Sequence, residues 1–301
     1  MEVVELQSGA YRATLAPSAG GRVGSLSWSD ASRRVDLLQA WDGAAFAEHV
    51  WPKAGAFPML PFANRLSAAG FRFGNRLVRP EPGPSGIVQH GVAHRRTWRL
   101  LNVSAERACM QLEMDSTPDW PWAWSAEMDV SLSDIGMSVV MRVRNASTEP
   151  MPLSMGWHPY HPTDSSIRSR DLTFDAIARH DLDAEASASL HTSAPVFDMA
   201  PGETAAFSGW RGQSSLRVRG EGAIEVACTG SPHLVMHRPM SGDYLCIEPV
   251  TVLPGWLGED AASLLEPGSA RQLSWTCGFR AKAQAIASSA GGASSQAEWN
   301  V

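Results

Sequence analysis

Four cysteines are scattered along 301 residues, at Cys109, Cys228, Cys246 and Cys277, and none forms a C-x-x-C pair. That spacing argues against both a disulfide framework and a thiolate zinc site, and leaves buried free thiols as the expectation. Lys and Arg nowhere run beyond a pair such as Arg95-Arg96, and 25 basic residues face 31 acidic ones for a net charge of −6. A surface that tracks nucleic-acid phosphates is not expected from such a chain. The balance points instead to a neutral or weakly polar ligand. No stretch approaches the ~18 apolar residues of a membrane helix. The opening MEVVELQSGAYRATL lacks the apolar core of a signal peptide. Asn102-Val-Ser104 and Asn145-Ala-Ser147 match the glycosylation acceptor pattern, which carries little weight without a secretion signal. The expectation is a soluble cytoplasmic monomer or homodimer, with no membrane or nucleic-acid partner.

Helical periodicity is also lacking. No segment before residue 280 sustains a 3.6-residue repeat, although AAFAEH (44–49) and GEDAASLL (258–265) each have room for a turn or two of helix. The dominant period is two. In WSAEMDVSLSDIGMSVVMRVRNAS (124–147), Ala126, Met128, Val130 and Leu132 alternate with polar residues, then Met137, Val139, Met141 and Val143 do so again. This predicts a hairpin turning at Ser133–Gly136. Further strands are expected at 11–15, 22–28, 98–103, 108–114, 152–157, 215–218, 223–228, 234–237 and 244–248. Gly/Pro clusters such as APSAGG and RPEPGPSG punctuate them. Many short strands, with 44% hydrophobic residues to fill a core, predict an all-β fold with very little helix: one large antiparallel β-sandwich over residues 1–280. The Ala/Ser/Gly-rich segment 281–301 is expected to be a flexible tail.

Few side chains stand out as chemical. Of the nine histidines, His49, His180 and His191 lie in polar, loop-like surroundings and are expected at the surface. His90/His94 and His233/His237 have i, i+4 spacing, which converges on a metal only on a helix, and neither segment reads as one. No metal is expected. His158, in MGWHPYH (155–161), differs because Pro159 holds its backbone extended, placing it at the end of an apolar strand. The alternative is a packed structural histidine. Glu248 sits in the apolar YLCIEPVT, where an acid is costly unless paired or used. It is otherwise the outward residue of an alternating strand. Asn64 and Arg65, in PFANRL, offer donors and an acceptor suited to ligand hydroxyls, or else form an ordinary surface turn.

PFANRL, QHGVAH followed by Trp98, WPWAW, MGWHPYH, CIEPVT and the closing LLEPGSARQLSWTCGF occur together, in that order, over roughly residues 10–280. The series resembles the aldose 1-epimerase (galactose mutarotase-like) family. The resemblance implies a large antiparallel β-sandwich that interconverts the α and β anomers of a free aldose without a cofactor. It implies Glu248 as general base, His158 as general acid, and Arg65 and His90 as substrate-site groups beside Asn64. A proton leaves the anomeric hydroxyl as one reaches the ring oxygen, so a carboxylate and an imidazolium suit the task. On this reading Glu248 ionises on the acid limb of activity and His158 deprotonates on the alkaline limb. The family's additional sugar-site carboxylate has no clear counterpart; Asp243 and Asp175 are the candidates. Trp120, Trp122, Trp124 and Trp157 are expected to pack between sheets rather than stack on sugar. Rival readings are a hexose-6-phosphate mutarotase, with Arg72, Arg76, Arg95 and Arg96 as a phosphate clamp, and a non-catalytic carbohydrate-binding sandwich. A glycosidase fits less well, because it calls for two flanking carboxylates.

Overall fold

The computed structural model describes residues 2–47, 49–164, 166–183 and 187–282. Two large sheets dominate, and every pairing within them is antiparallel. The eight-stranded sheet is built around the predicted hairpin, Trp124–Ser133 with Gly136–Asn145. Its register sets Ala126 opposite Val143, Met128 opposite Met141 and Val130 opposite Val139, all buried, and alternates them with polar pairs such as Glu127–Arg142. The period-two pattern is thus the pleat itself, with one face on the core and one in water. Gly136 closes the turn at φ 138°, where a Cβ would stand 2.3 Å from the Cys277 carbonyl oxygen.

The eleven-stranded sheet places Ala56–Met59, Gly156–Pro162, Tyr244–Val250 and His233–His237 side by side at its centre. Tyr244–Val250 is buried along its whole length, so its alternation separates two apolar environments rather than core from water. Leu245 and Ile247 join Trp157, Leu234 and Met236 in the main core, whereas Cys246, Glu248 and Val250 share the other face with Phe57, Tyr160 and Val235. Trp157 is fully buried, 5.8 Å from Trp275 of the other sheet, and Trp120, Trp122 and Trp124 lie in the same core.

Among the described residues there is no α-helix, only four short 3-10 turns. Residues 44–47 are irregular and are followed by a single turn closed by Val50 N–H to Ala47 O at 2.9 Å, so no helix is seen there among the described residues. At 258–265 the helix reduces to a single 3-10 turn, Ala261–Ser263, capped by Asp260 Oδ1, which accepts the Ala262 N–H at 2.8 Å, before Leu264–Leu265 turns extended. The strand expected over 152–157 is two strands. Met151–Pro152 pairs with Leu264–Leu265, and Gly156–Pro162 enters the large sheet. Between them the backbone bonds to loops: Leu153 N–H to Ser263 O, Ser154 N–H to Pro61 O, and Met155 N–H to Thr251 Oγ1. All four cysteines are free, and Cys228, Cys246 and Cys277 are buried. Of the expected tail, 281–301, Ala281 still belongs to the last strand, Ala270–Ala281, and residues 283–301 lie outside the described residues. Among the described residues no helix is long and apolar enough to cross a membrane.

Candidate active site

Ninety positions separate His158 from Glu248 in the chain, yet they face each other across adjacent strands. Gly156 partners Val250 and Tyr160 partners Cys246, so His158 stands opposite Glu248 between them. His158 Nε2 lies 3.5 Å from Glu248 Oε1. On their outer sides His158 pairs with Phe57 and Glu248 with Val235. Tyr160, Cys246, His237 and Thr204 make the next row across the sheet. Pro159 and Pro249, one step from each key residue, have no N–H to give a ladder and keep both strands extended. His158 therefore lies inside its strand, not at the end expected for it. Glu248 is 2% exposed, which rules out its solvent-facing reading, and His158 is 6% exposed.

The imidazole of His158 is held in a cluster of rings. Phe57 and Tyr160 each lie near-parallel to it with centroids 4.7 Å away, and their own centroids are 6.3 Å apart. Behind Phe57 the fully buried Arg22 guanidinium sits 4.9 Å from that ring and donates to Ala54 O at 2.6 Å. Tyr160 accepts the indole N–H of Trp51 at 3.1 Å. This packing leaves the imidazole little freedom to swing, so its nitrogens are aimed by the fold.

Asn64 and His90 reach the same cavity from loops and Arg65 from the two-residue strand Arg65–Leu66, which pairs with Val88–Gln89, together with His158 and Glu248. Asn64 (φ 59°) and His90 (φ 60°) both adopt the left-handed region, an uncommon conformation outside glycine that marks functional loops. The turn at Asn64 lets its carbonyl accept the His90 N–H at 2.9 Å, tying the two loops together. Asn64 Nδ2, His90 Nδ1, His158 Nδ1 and Glu248 Oε2 are all buried with no hydrogen-bond partner. Four unsatisfied polar atoms around one cavity of about 450 Å³ are a set of contacts awaiting a polar ligand.

The electrostatics depart from the expectation of an ionised Glu248 and a protonated His158. Burial raises the Glu248 carboxyl to about 8, opposed only by the Lys53 ammonium. Burial pushes His158 well below 6.5, and Lys53, His237 and Arg22 push it the same way. His90 is lowered well below its usual value, again chiefly by burial. Burial thus biases the pair toward carrying its shared proton on Glu248 rather than on His158.

Sequence reasoning missed several residues of the cavity. Lys53, Trp51, Tyr160 and His237 all line it. Lys53 stands amid the apolar VWPKAGAFPML, the same setting that drew attention to Arg65, and was legible on that criterion. His180, expected at the surface, is buried, with Nδ1 2.8 Å from Ser189 O and Nε2 2.8 Å from Ser208 Oγ. The candidate carboxylates lie elsewhere: Asp175 pairs with Arg211, and Asp243 accepts from Ser241 Oγ. Asp183 lines the cavity instead. Of the four arginines weighed as a phosphate clamp, none lines this cavity: Arg76 pairs with Glu149, and Arg95 and Arg96 line the adjoining one. The donor atoms of His158, Cys246 and Glu248 lie within 4.8 Å of one another, the one such group among the described residues. A metal there would displace the proton of a thiol that burial holds well above 9, beside the Lys53 cation.

Residues 2–207 match the family described as aldose 1-epimerase. Over 218 residues, 67% of this chain and 74% of the relative, the sequence is 23% identical to the uncharacterized protein YphB of Escherichia coli K12. A putative aldose 1-epimerase of Escherichia coli K12 superposes with a TM-score of 0.80 at 21% identity, covering 93% of this chain and 99% of that one. The GalM/aldose epimerase homologue of Caenorhabditis elegans gives 0.80 at 15% identity, over 93% and 99% of the two chains. The galactose 1-epimerase of Lactobacillus acidophilus gives 0.72 at 12%, over 93% and 98%. At these identities the structural likeness establishes the fold.

Proposed function

The chain belongs to the aldose 1-epimerase family, and we propose that it interconverts the α and β anomers of a free aldose, with His158 and Glu248 as the acid–base pair. The observation that carries this reading is the buried 3.5 Å contact between them, in a cavity where each keeps a second polar atom unpartnered.

Mutarotation needs one proton removed from the anomeric O1 and one delivered to the ring O5. The C1–O5 bond then breaks to an aldehyde, the C1–C2 bond rotates, and the ring closes on the other face. A pair that shares one proton balances this cycle. An O1–H donated to Glu248 Oε2 favours the carboxylate, as the Lys53 cation already does, so the pair's own proton moves to His158. Glu248 then takes the O1 proton while His158 gives its proton to O5. In closure the two exchange roles, Glu248 returning a proton to O1 and His158 recovering one from O5. Asn64, Arg65 and His90 hold the hydroxyls so that the bond to be broken stays aligned.

The test is the decay of optical rotation of freshly dissolved α-anomers with wild type, Glu248→Gln and His158→Asn. Each variant should lose ~10²–10⁴-fold in kcat while still binding sugar. Retention of more than a tenth of wild-type activity by either would remove that residue from the mechanism.

A further inference from the structure

Two cations line the sugar cavity with no direct ion pair among the described residues. Lys53 and Arg65 both line it, and neither has a hydrogen bond or ion pair from its charged end among the described residues. The Lys53 ammonium lies 4.3 Å from the Trp51 ring centroid, a contact that steadies a cation without neutralising it. Arg95, at the neighbouring cavity, is by contrast bound to Gly91 O at 2.9 Å and lies 2.8 Å from His49 Nδ1. The lining also holds two acids, Asp183, whose Oδ1 accepts the Ser187 N–H at 2.9 Å, and Glu248, whose carboxyl burial raises to about 8. Two cations against Asp183 and a Glu248 that burial biases toward its neutral form leave positive charge in excess here, in a chain whose overall charge is negative. Holding unpaired cations in a partly desolvated site is costly unless something bound there compensates them.

We propose that the aldose this cavity takes carries an anionic substituent, and that Lys53 and Arg65 select it; the proposal rests on the mutarotase reading above. The composition alone pointed to a neutral ligand, but the local charge differs in sign from that of the whole. Arg65 presents a planar fork suited to a carboxylate or phosphate, and Lys53 a point charge. Lys53, Trp51 and Gln89 also line the adjoining cavity of about 640 Å³, which leaves room beyond the ring for the substituent. A uronic acid carboxylate and a sugar phosphate share this chemistry.

The experiment compares kcat/KM for mutarotation of D-glucose, D-galactose, D-glucuronate, D-galacturonate and D-glucose 6-phosphate by wild type, Lys53→Met and Lys53→Arg. One anionic sugar should exceed its neutral counterpart by at least about tenfold, as expected for one charge-assisted contact, and the uronate and phosphate arms identify the group. Lys53→Met should collapse that ratio through KM for the anionic sugar, and Lys53→Arg should restore it. Equal or better turnover of the neutral sugars, or a ratio unmoved in Lys53→Met, overturns the proposal and leaves the mutarotase reading standing. If no aldose is turned over, the mutarotase reading fails, and calorimetric binding of glucuronate and glucose 6-phosphate decides the rest. Binding lost in Lys53→Met supports the cationic site, and no binding to wild type overturns it.

Discussion

Glu248 and His158 are best treated as one titrating unit, because groups this close release protons as a pair. The pair is singly protonated from well below pH 6.5 up to about 8. The profile of kcat/KM, which reports the free enzyme, should be a bell with its alkaline limb near pH 8 and its acid limb well below 6.5. A profile flat from pH 4 to 9 would exclude the pair. The same burial affects stability. Glu248 rises from an ordinary 4.5 to about 8 on folding. Between those values the unfolded chain gives up a proton that the folded one keeps, so stability falls as pH rises and levels off above 8. Glu248→Gln removes that penalty. Its stability should match the wild type near pH 4.5 and exceed it increasingly toward pH 8, by on the order of a few kcal/mol, read as a growing rise in melting temperature. A constant gap across that range would show that Glu248 is not held protonated.

At the scale of elements, the strands were legible where one face meets water and harder to read where neither does. The 124–147 hairpin follows its alternation residue for residue because its outer face is solvated. Ala56–Met59 shows no alternation, since all four residues are buried, yet it supplies Phe57, the ring that stacks on His158. Glu248 was conspicuous for a related reason: a strand buried on both faces makes an acid anomalous, where a half-buried one would make it ordinary. Lys53 and Trp51 sit in a loop, where period carries no information and only residue type amid apolar neighbours gives a signal. The direction of proton flow was not legible at all. It depends on burial and on Lys53, His237 and Arg22, groups distant in sequence that meet only in the folded sheet.

For the molecule as a whole, the two faces of the large sheet divide the work. One packs on the eight-stranded sheet and the other carries the chemistry, so stability and activity should be separable across its thickness. Trp275 is the place to test this, being fully buried in the other sheet and touching Trp157, the neighbour of His158 that points away from the cavity. Trp275→Leu shortens a packed aromatic and should cost roughly 2–4 kcal/mol, somewhat less than truncation to Ala. In a double-mutant cycle with Trp157→Leu, urea unfolding should show a coupling of ~0.5–1.5 kcal/mol for the ring pair. Well below its melting temperature, Trp275→Leu should keep kcat within about threefold of wild type, because the barrier changes little when the pair's geometry is kept. Trp157→Leu should lower kcat further, since it changes the residue next to His158 on the same strand. A hundredfold loss of kcat in folded Trp275→Leu would mean that core packing sets the 3.5 Å contact directly, and that the sheet does not insulate the site from the core.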